Sequence, residues 1–158
     1  MHENDREFAN GVEEILRTSV TNTISLLFNI PVDVSRDMSH DLPHDEGYVC
    51  CGEFSQDDAR AKLMVSFDRE LIKKLAHLVF SAAEAETPAI YESTVTEIVN
   101  IVGNQLKVHL NLQGYKLTLA IPYIVDEKAV PAENPLIHLA FSLKDDSAMG
   151  VDFYMRTA

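Results

Sequence analysis

Apolar residues recur every three to four positions in three stretches of the chain, and this spacing predicts three amphipathic helices. The first helix is predicted to become regular near Asn10, because Asn10 and Glu13 fit a capping box. Asp68 is a typical N-cap residue for the second helix. Thr87-Pro88 supplies the third helix with an N-cap residue and a proline at its first helical position. The predicted helices cover about Phe8–Phe28, Asp68–Ser81 and Thr87–Gln113.

Other stretches alternate apolar and polar positions or are rich in β-formers, and these predict strands. The strands are expected at about residues 32–38, 47–55, 60–67, 115–125, 136–143 and 149–155. The order of helix, strands, two helices and strands is typical of an α+β fold. We therefore expect a single domain over residues 1–158, in which three main helices pack on a largely antiparallel sheet of roughly six strands.

Composition narrows the class of protein. The formal net charge of −12, with no cluster of Lys or Arg, disfavours nucleic-acid binding. No apolar run reaches the ~18 residues of a membrane span, and the acidic N-terminus does not resemble a signal peptide, so a cytoplasmic protein without membrane contact is expected. The adjacent Cys50 and Cys51 are expected to be reduced packing residues, because neighbours on a strand point to opposite faces.

One face of the third helix carries the candidate chemistry. Glu97 and Asn100 are three residues apart, so their carboxylate and carboxamide project side by side. Gly103 lies beside them, where a helical glycine suggests that something approaches closely. At ~100° per residue, five polar residues fall within a band about 80° wide. We call this band the polar stripe: Ser93, Glu97, Asn100, Asn104 and Lys107.

These residues give the chain a resemblance to the CheC/CheX/FliY family of chemotaxis phosphatases. Ser93, Glu97 and Asn100 match the family signature of Asp or Ser, three residues, Glu, two residues and Asn, and Pro122 is the candidate for its later proline. The single copy of the signature, the length and the element order are similar to CheX. The resemblance implies a CheC-like fold and a homodimer.

The resemblance also implies a function. The family removes the phosphoryl group from the phospho-aspartate of CheY-type response regulators. Asn100 would orient the attacking water, and Glu97 would pair with a lysine of the regulator. Ser93, Asn104 and Pro122 would be supporting residues. The Mg²⁺ belongs to the regulator, so no cofactor or metal of the chain's own is expected.

Two other interpretations stay open at this point. The same fold serves flagellar-switch proteins, so the chain can instead be a docking module without catalysis. His40 and His44, in an acidic loop, offer a weaker candidate for a transition-metal site. His138 lies within an apolar segment and is expected to be a buried histidine with a hydrogen-bond partner rather than a catalytic base.

Overall fold

The computed structural model describes residues 3–29, 33–35, 47–80, 86–125, 133–142 and 148–156, and only the backbone of 33–35. Helix α1 spans Glu3–Phe28, α2 spans Arg69–Val79 and α3 spans Pro88–Leu112. None of the helices in these ranges is both long and apolar enough to cross a lipid bilayer.

The predicted starts of α2 and α3 are confirmed. The Asp68 side chain accepts a hydrogen bond from the Glu70 backbone N–H, and Thr87 Oγ1 accepts one from the Ile90 N–H. Pro88 occupies the first turn of α3. Each of these side chains gives a first-turn N–H group an acceptor, so the sequence determines where both helices begin.

The predicted start of α1 near residue 10 is wrong, because the helix already begins at Glu3. Glu3 and Asp5 lie in its first turn, where negative charge is favourable beside the unpaired backbone N–H groups. The first turns of α1 are exposed and largely polar. They therefore carry little of the apolar periodicity from which the helix was predicted.

The strands are β1 Asp33–Ser35, β2 Tyr48–Gln56, β3 Ala59–Phe67, β4 Thr118–Leu119, β5 Tyr123–Val125, β6 Ile137–Ser142 and β7 Ala148–Arg156. They form one antiparallel sheet in the order β1-β6-β7-β3-β2, with β4 and β5 both paired to the outer edge of β2. Six strand positions result, because β4 and β5 share the last one, and the predicted α+β fold is confirmed.

The predicted strand over 115–125 is only partly correct. The Asn111 side chain takes the place of a neighbouring strand at Leu117, because it accepts from the Leu117 N–H (2.8 Å) and donates to the Leu117 carbonyl (3.1 Å). Pairing to β2 therefore begins at Thr118. It is interrupted around Pro122, which has no N–H to donate, and resumes at Tyr123.

The main core lies between the helices and one face of the sheet, and it includes residues from Val12 in α1 to Phe153 in β7. Cys50 belongs to this core, whereas Cys51 packs with Val49, Met64 and Tyr154 on the other face. Both cysteines are free and buried. The expectation that these neighbours are packing residues on opposite faces is confirmed.

Candidate functional site

The polar stripe lies on the outward side of α3, as predicted. Ser93 and Glu97 are exposed, and Asn100, Asn104 and Lys107 are half-buried. The opposite side of the helix is buried against α1 and the sheet, through nine residues: Tyr91, Thr94, Val95, Ile98, Val99, Val102, Gly103, Leu106 and Leu110. Because one side of α3 is buried and the other faces outward, the rotation of the helix about its axis is fixed, and so is the direction in which the stripe faces.

Asn100 and Asn104 are joined by hydrogen bonds along the helix. Asn104 Nδ2 donates to Asn100 Oδ1 (3.3 Å) and to the Asn100 backbone carbonyl (2.8 Å). A side chain that bonds a carbonyl four residues earlier is held against its own helix. Asn104 therefore restrains the rotation of the Asn100 carboxamide, and it leaves Asn100 Nδ2 and one lone pair of Oδ1 for another group.

Glu97 differs from Asn100 in having no restraint. Within the described part of the chain, the Glu97 carboxylate makes no ion pair or hydrogen bond. It lies on the same face as Asn100, one turn nearer the start of the helix. The site therefore presents an unpaired negative charge beside a carboxamide whose orientation is fixed.

A shallow apolar groove of about 240 Å³ borders the stripe at Ser93 and Glu97. Its apolar walls come from the C-terminal ends of α1 and α2 and from the buried side of α3: Leu27, Phe28, Val79, Phe80, Thr94 and Ile98. Nearby in sequence, Leu26 is 83% exposed and Leu78 is 53% exposed. We call this surface the apolar groove. The sequence pattern does not predict it, because its walls come from three helices, two of which end about fifty residues apart along the chain.

Gly103 and Pro122 do not face a partner. A Cβ built on Gly103 would lie 2.9 Å from Leu119 Cδ2, so the close approach expected there is made by β4 of the same chain. Pro122 is buried at the break between β4 and β5. Its supporting role in the site stays a prediction.

The other candidate residues contribute no second site. His138 is exposed, not buried as predicted, and its Nδ1 is hydrogen-bonded to Asp152 Oδ1 across β6 and β7. His40 and His44 lie outside the described residues. Within the described ranges, no group of three or more His, Cys, Asp or Glu side chains is arranged to hold a metal ion.

Comparison with known proteins assigns the chain to a family. The model of the family described as chemotaxis phosphatase CheX matches residues 48–146, which is more than half of the chain and contains the whole polar stripe. The chain belongs to the CheX family. No curated protein sequence matches it.

Solved structures show the same fold at low sequence identity. The chain is similar to CheX from Vibrio vulnificus (15% identity, 92% of this chain and 96% of that chain, TM-score 0.74). It is also similar to a chain of the CheX–CheY–BeF3–Mg²⁺ complex from Borrelia burgdorferi (14%, 90% and 96%, 0.72). A third similar structure is the FliM–SpeE complex from H. pylori (11%, 97% and 88%, 0.64).

Proposed function

We propose that this CheX family member is a phosphatase that hydrolyses the phospho-aspartate of a CheY-type response regulator. One observation carries the proposal: Asn104 fixes the Asn100 carboxamide on an exposed helix face, beside the unpaired carboxylate of Glu97. The family supports phosphatase chemistry. The Borrelia burgdorferi complex, in which CheX is bound to CheY, supports the class of partner.

In the proposed reaction, α3 docks on the regulator so that Asn100 enters its active site. The Asn100 Oδ1 lone pair that Asn104 leaves free accepts a hydrogen bond from a water molecule and holds it in line behind the phosphorus. The water oxygen attacks phosphorus while the bond from phosphorus to the aspartate oxygen breaks, giving inorganic phosphate and a free carboxylate. Positioning of this kind is the main contribution available to a protein in phosphoryl transfer.

Glu97 would set the depth and angle of docking by pairing with a lysine of the regulator. The apolar groove ends at the C-termini of α1 and α2, and each helix C-terminus carries a partial negative charge. The last turn of α1 contains no basic residue, whereas the last turn of α2 contains His77. The α1 end of the groove therefore favours a cation, in agreement with the proposed role of Glu97.

The apolar groove supports a macromolecular partner over a small substrate. It lies beside the stripe and is exposed at Leu27 (46%) and Val79 (56%). Contiguous exposed apolar surface of this kind typically marks a protein contact. We propose that the regulator covers the apolar groove when it docks and that it brings the Mg²⁺. We also propose that the protein acts in the cytoplasm and forms a homodimer.

The test is the lifetime of the acyl phosphate. A CheY-type regulator is phosphorylated with a small-molecule phosphodonor, the donor is removed, and loss of phosphate is followed with and without the chain.

Asn100→Ala should slow the stimulated hydrolysis roughly 10²-fold, because the water is no longer held in line. Gln105→Ala is the matched control, since Gln105 is an exposed carboxamide of α3 outside the stripe. Full activity of a folded Asn100→Ala protein would refute the mechanism.

A docking module without catalysis is the second candidate function, and the likeness to the FliM–SpeE complex favours it. The same experiment separates the two functions. A docking module would bind the regulator and leave the lifetime of its phosphate unchanged, whereas the proposed phosphatase shortens that lifetime.

A further inference from the structure

We propose that a cavity between the N-terminal parts of α2 and α3 binds a small anion that carries an aromatic ring. Among the described residues, the cavity has a volume of about 470 Å³, which is within the range of small-molecule sites. It is lined by Gly47, Tyr48, Arg69, Lys73, Glu86, Pro88 and Tyr91. None of these residues belongs to the polar stripe or to the apolar groove.

The charge of the cavity favours an anion. Arg69 and Lys73 are four residues apart on α2, so their side chains lie on the same side of the helix. Within the described part of the chain, neither of them makes an ion pair. Unpaired cations facing a cavity are unexpected in a chain with 25 acidic and 13 basic residues. An anion bound between them would supply the missing partner.

Glu86, the acidic residue in the lining, is engaged elsewhere. Its Oε1 lies 3.6 Å from Nε2 of His77, on the last turn of α2. Its side chain is 68% exposed. The contact with His77 is made toward the C-terminal end of α2, whereas Arg69 and Lys73 lie nearer its N-terminal end. The lining therefore holds two cations against one carboxylate.

Two tyrosines provide a rigid aromatic wall. The Tyr48 and Tyr91 rings meet edge to face, with centroids 6.4 Å apart and an interplanar angle of 66°. Tyr91 packs in the main core and is only 7% exposed, so its contact holds the Tyr48 ring in place. Tyr48 is half-buried and offers the ring surface on which a planar ligand group can stack. Cations on one side and aromatic rings on another define a ring-bearing anion as the ligand class.

The cavity and the polar stripe share α3 but are separate sites. Asn100 follows Tyr91, the lining residue nearest to it along α3, by nine residues, which corresponds to ~13.5 Å along a helix. A small ligand in the cavity therefore does not reach the Asn100 carboxamide. The inference does not depend on the phosphatase proposal, and the two can fail independently.

Phenyl phosphate is the probe, because it combines a ring with a dianion, and binding is followed by ¹⁵N chemical shifts of the full chain. We expect saturable shifts at Gly47, Tyr48 and Lys73, with a dissociation constant of ~1 mM or below. Inorganic phosphate and benzyl alcohol each lack one half of the ligand and should bind at least about fivefold more weakly.

Charge variants locate the site. Lys73→Gln should weaken binding of phenyl phosphate about tenfold, and Arg69→Gln should do the same. Lys116→Gln is the matched control, because Lys116 is an exposed lysine distant in sequence from the cavity lining, and it should leave binding unchanged. Absence of saturable shifts, equal binding of phenyl phosphate and inorganic phosphate, or unchanged binding by both folded variants would overturn the proposal.

Discussion

The hydrogen bond from Asn104 Nδ2 to Asn100 Oδ1 restrains the rotation of the Asn100 carboxamide. In the proposed mechanism Asn104 is a positioning residue, because it acts on the water only through Asn100. Asn104→Ala should therefore lower the catalytic rate constant about tenfold and leave the affinity for the regulator unchanged. Phosphate-release kinetics measured over a range of regulator concentrations separate the two quantities.

Asn104→Asp provides a sharper version of this test. Aspartate has nearly the same size as asparagine but no N–H to donate to Asn100 Oδ1. It should therefore be as slow as Asn104→Ala, although the helix and its packing are preserved. If Asn104→Asp turns over at the wild-type rate, the hydrogen bond has no part in positioning Asn100.

Glu97 is predicted to act in docking, through its charge. Glu97→Gln should weaken regulator binding roughly tenfold, because a charge-assisted hydrogen bond contributes about 1.5–3 kcal/mol. Glu92→Gln is the matched control, since Glu92 is an exposed acid of α3 outside the stripe. Raising the salt concentration should weaken binding of the wild type more than that of Glu97→Gln. Equal affinities of the two variants, measured by calorimetry, would contradict the role of Glu97.

The predicted placement of Glu97 and Asn100 on the outward side of α3 is confirmed, because helix geometry is local, whereas their roles in the site stay predictions. Three-residue spacing sets Glu97 and Asn100 side by side on any helix. The apolar groove was not predicted, since Leu27, Val79 and Ile98 come together only in the folded chain. Burial of His138 was predicted wrongly because its strand places it on the opposite face from Ile137 and Leu139, which are buried.

At the level of elements, the two helix starts predicted from neighbouring caps are correct, whereas a contact from another element shortens one predicted strand. Asp68 and Thr87 cap their helices within three residues, so the sequence reveals both starts. The strand after α3 is shortened by Asn111, which bonds Leu117 six residues later. Nothing in the alternation of residues 115–125 indicates that contact.

Two glycines in different elements give opposite predictions for stability. A Cβ on Gly11, within α1, would lie 3.6 Å from His109 Nε2, an ordinary contact, so Gly11→Ala should stabilise the protein by about 0.5–1 kcal/mol. A Cβ on Gly47 would lie 2.2 Å from the Phe67 carbonyl oxygen. Gly47→Ala should therefore destabilise it by at least about 1 kcal/mol.

Urea unfolding of both variants, followed by circular dichroism, measures these changes. Each variant serves as the control for the other, since the substitution is the same. A destabilised Gly11→Ala protein would show that α1 packs on α3 differently from the structure described above. An unaffected Gly47→Ala protein would mean that the chain before β2 does not approach Phe67.

For the molecule as a whole, the buried thiols predict a loss of stability at alkaline pH. Burial raises the pKa of Cys50 to about 12, and burial also raises the pKa of Cys51. In the unfolded chain both thiols ionise near pH 8.5–9. Above that pH the unfolded state binds fewer protons than the folded state, so the free energy of unfolding falls as pH rises.

The free energy of unfolding should begin to fall near pH 9 and continue to fall toward pH 12, with a limiting slope of about 1.4 kcal/mol per pH unit for each thiol. Urea unfolding under reducing conditions at pH 7.5, 9 and 10.5 (roughly spanning the unfolded thiol pKa) measures it. Tyrosines and lysines also titrate in this range, so the informative quantity is the difference from Cys50→Ala/Cys51→Ala. The double variant should lose stability less steeply than the wild type. If the stability of the wild type and of the double variant falls with pH at the same slope, the two thiols are not shielded from water. That result would contradict the packing described on both faces of the sheet.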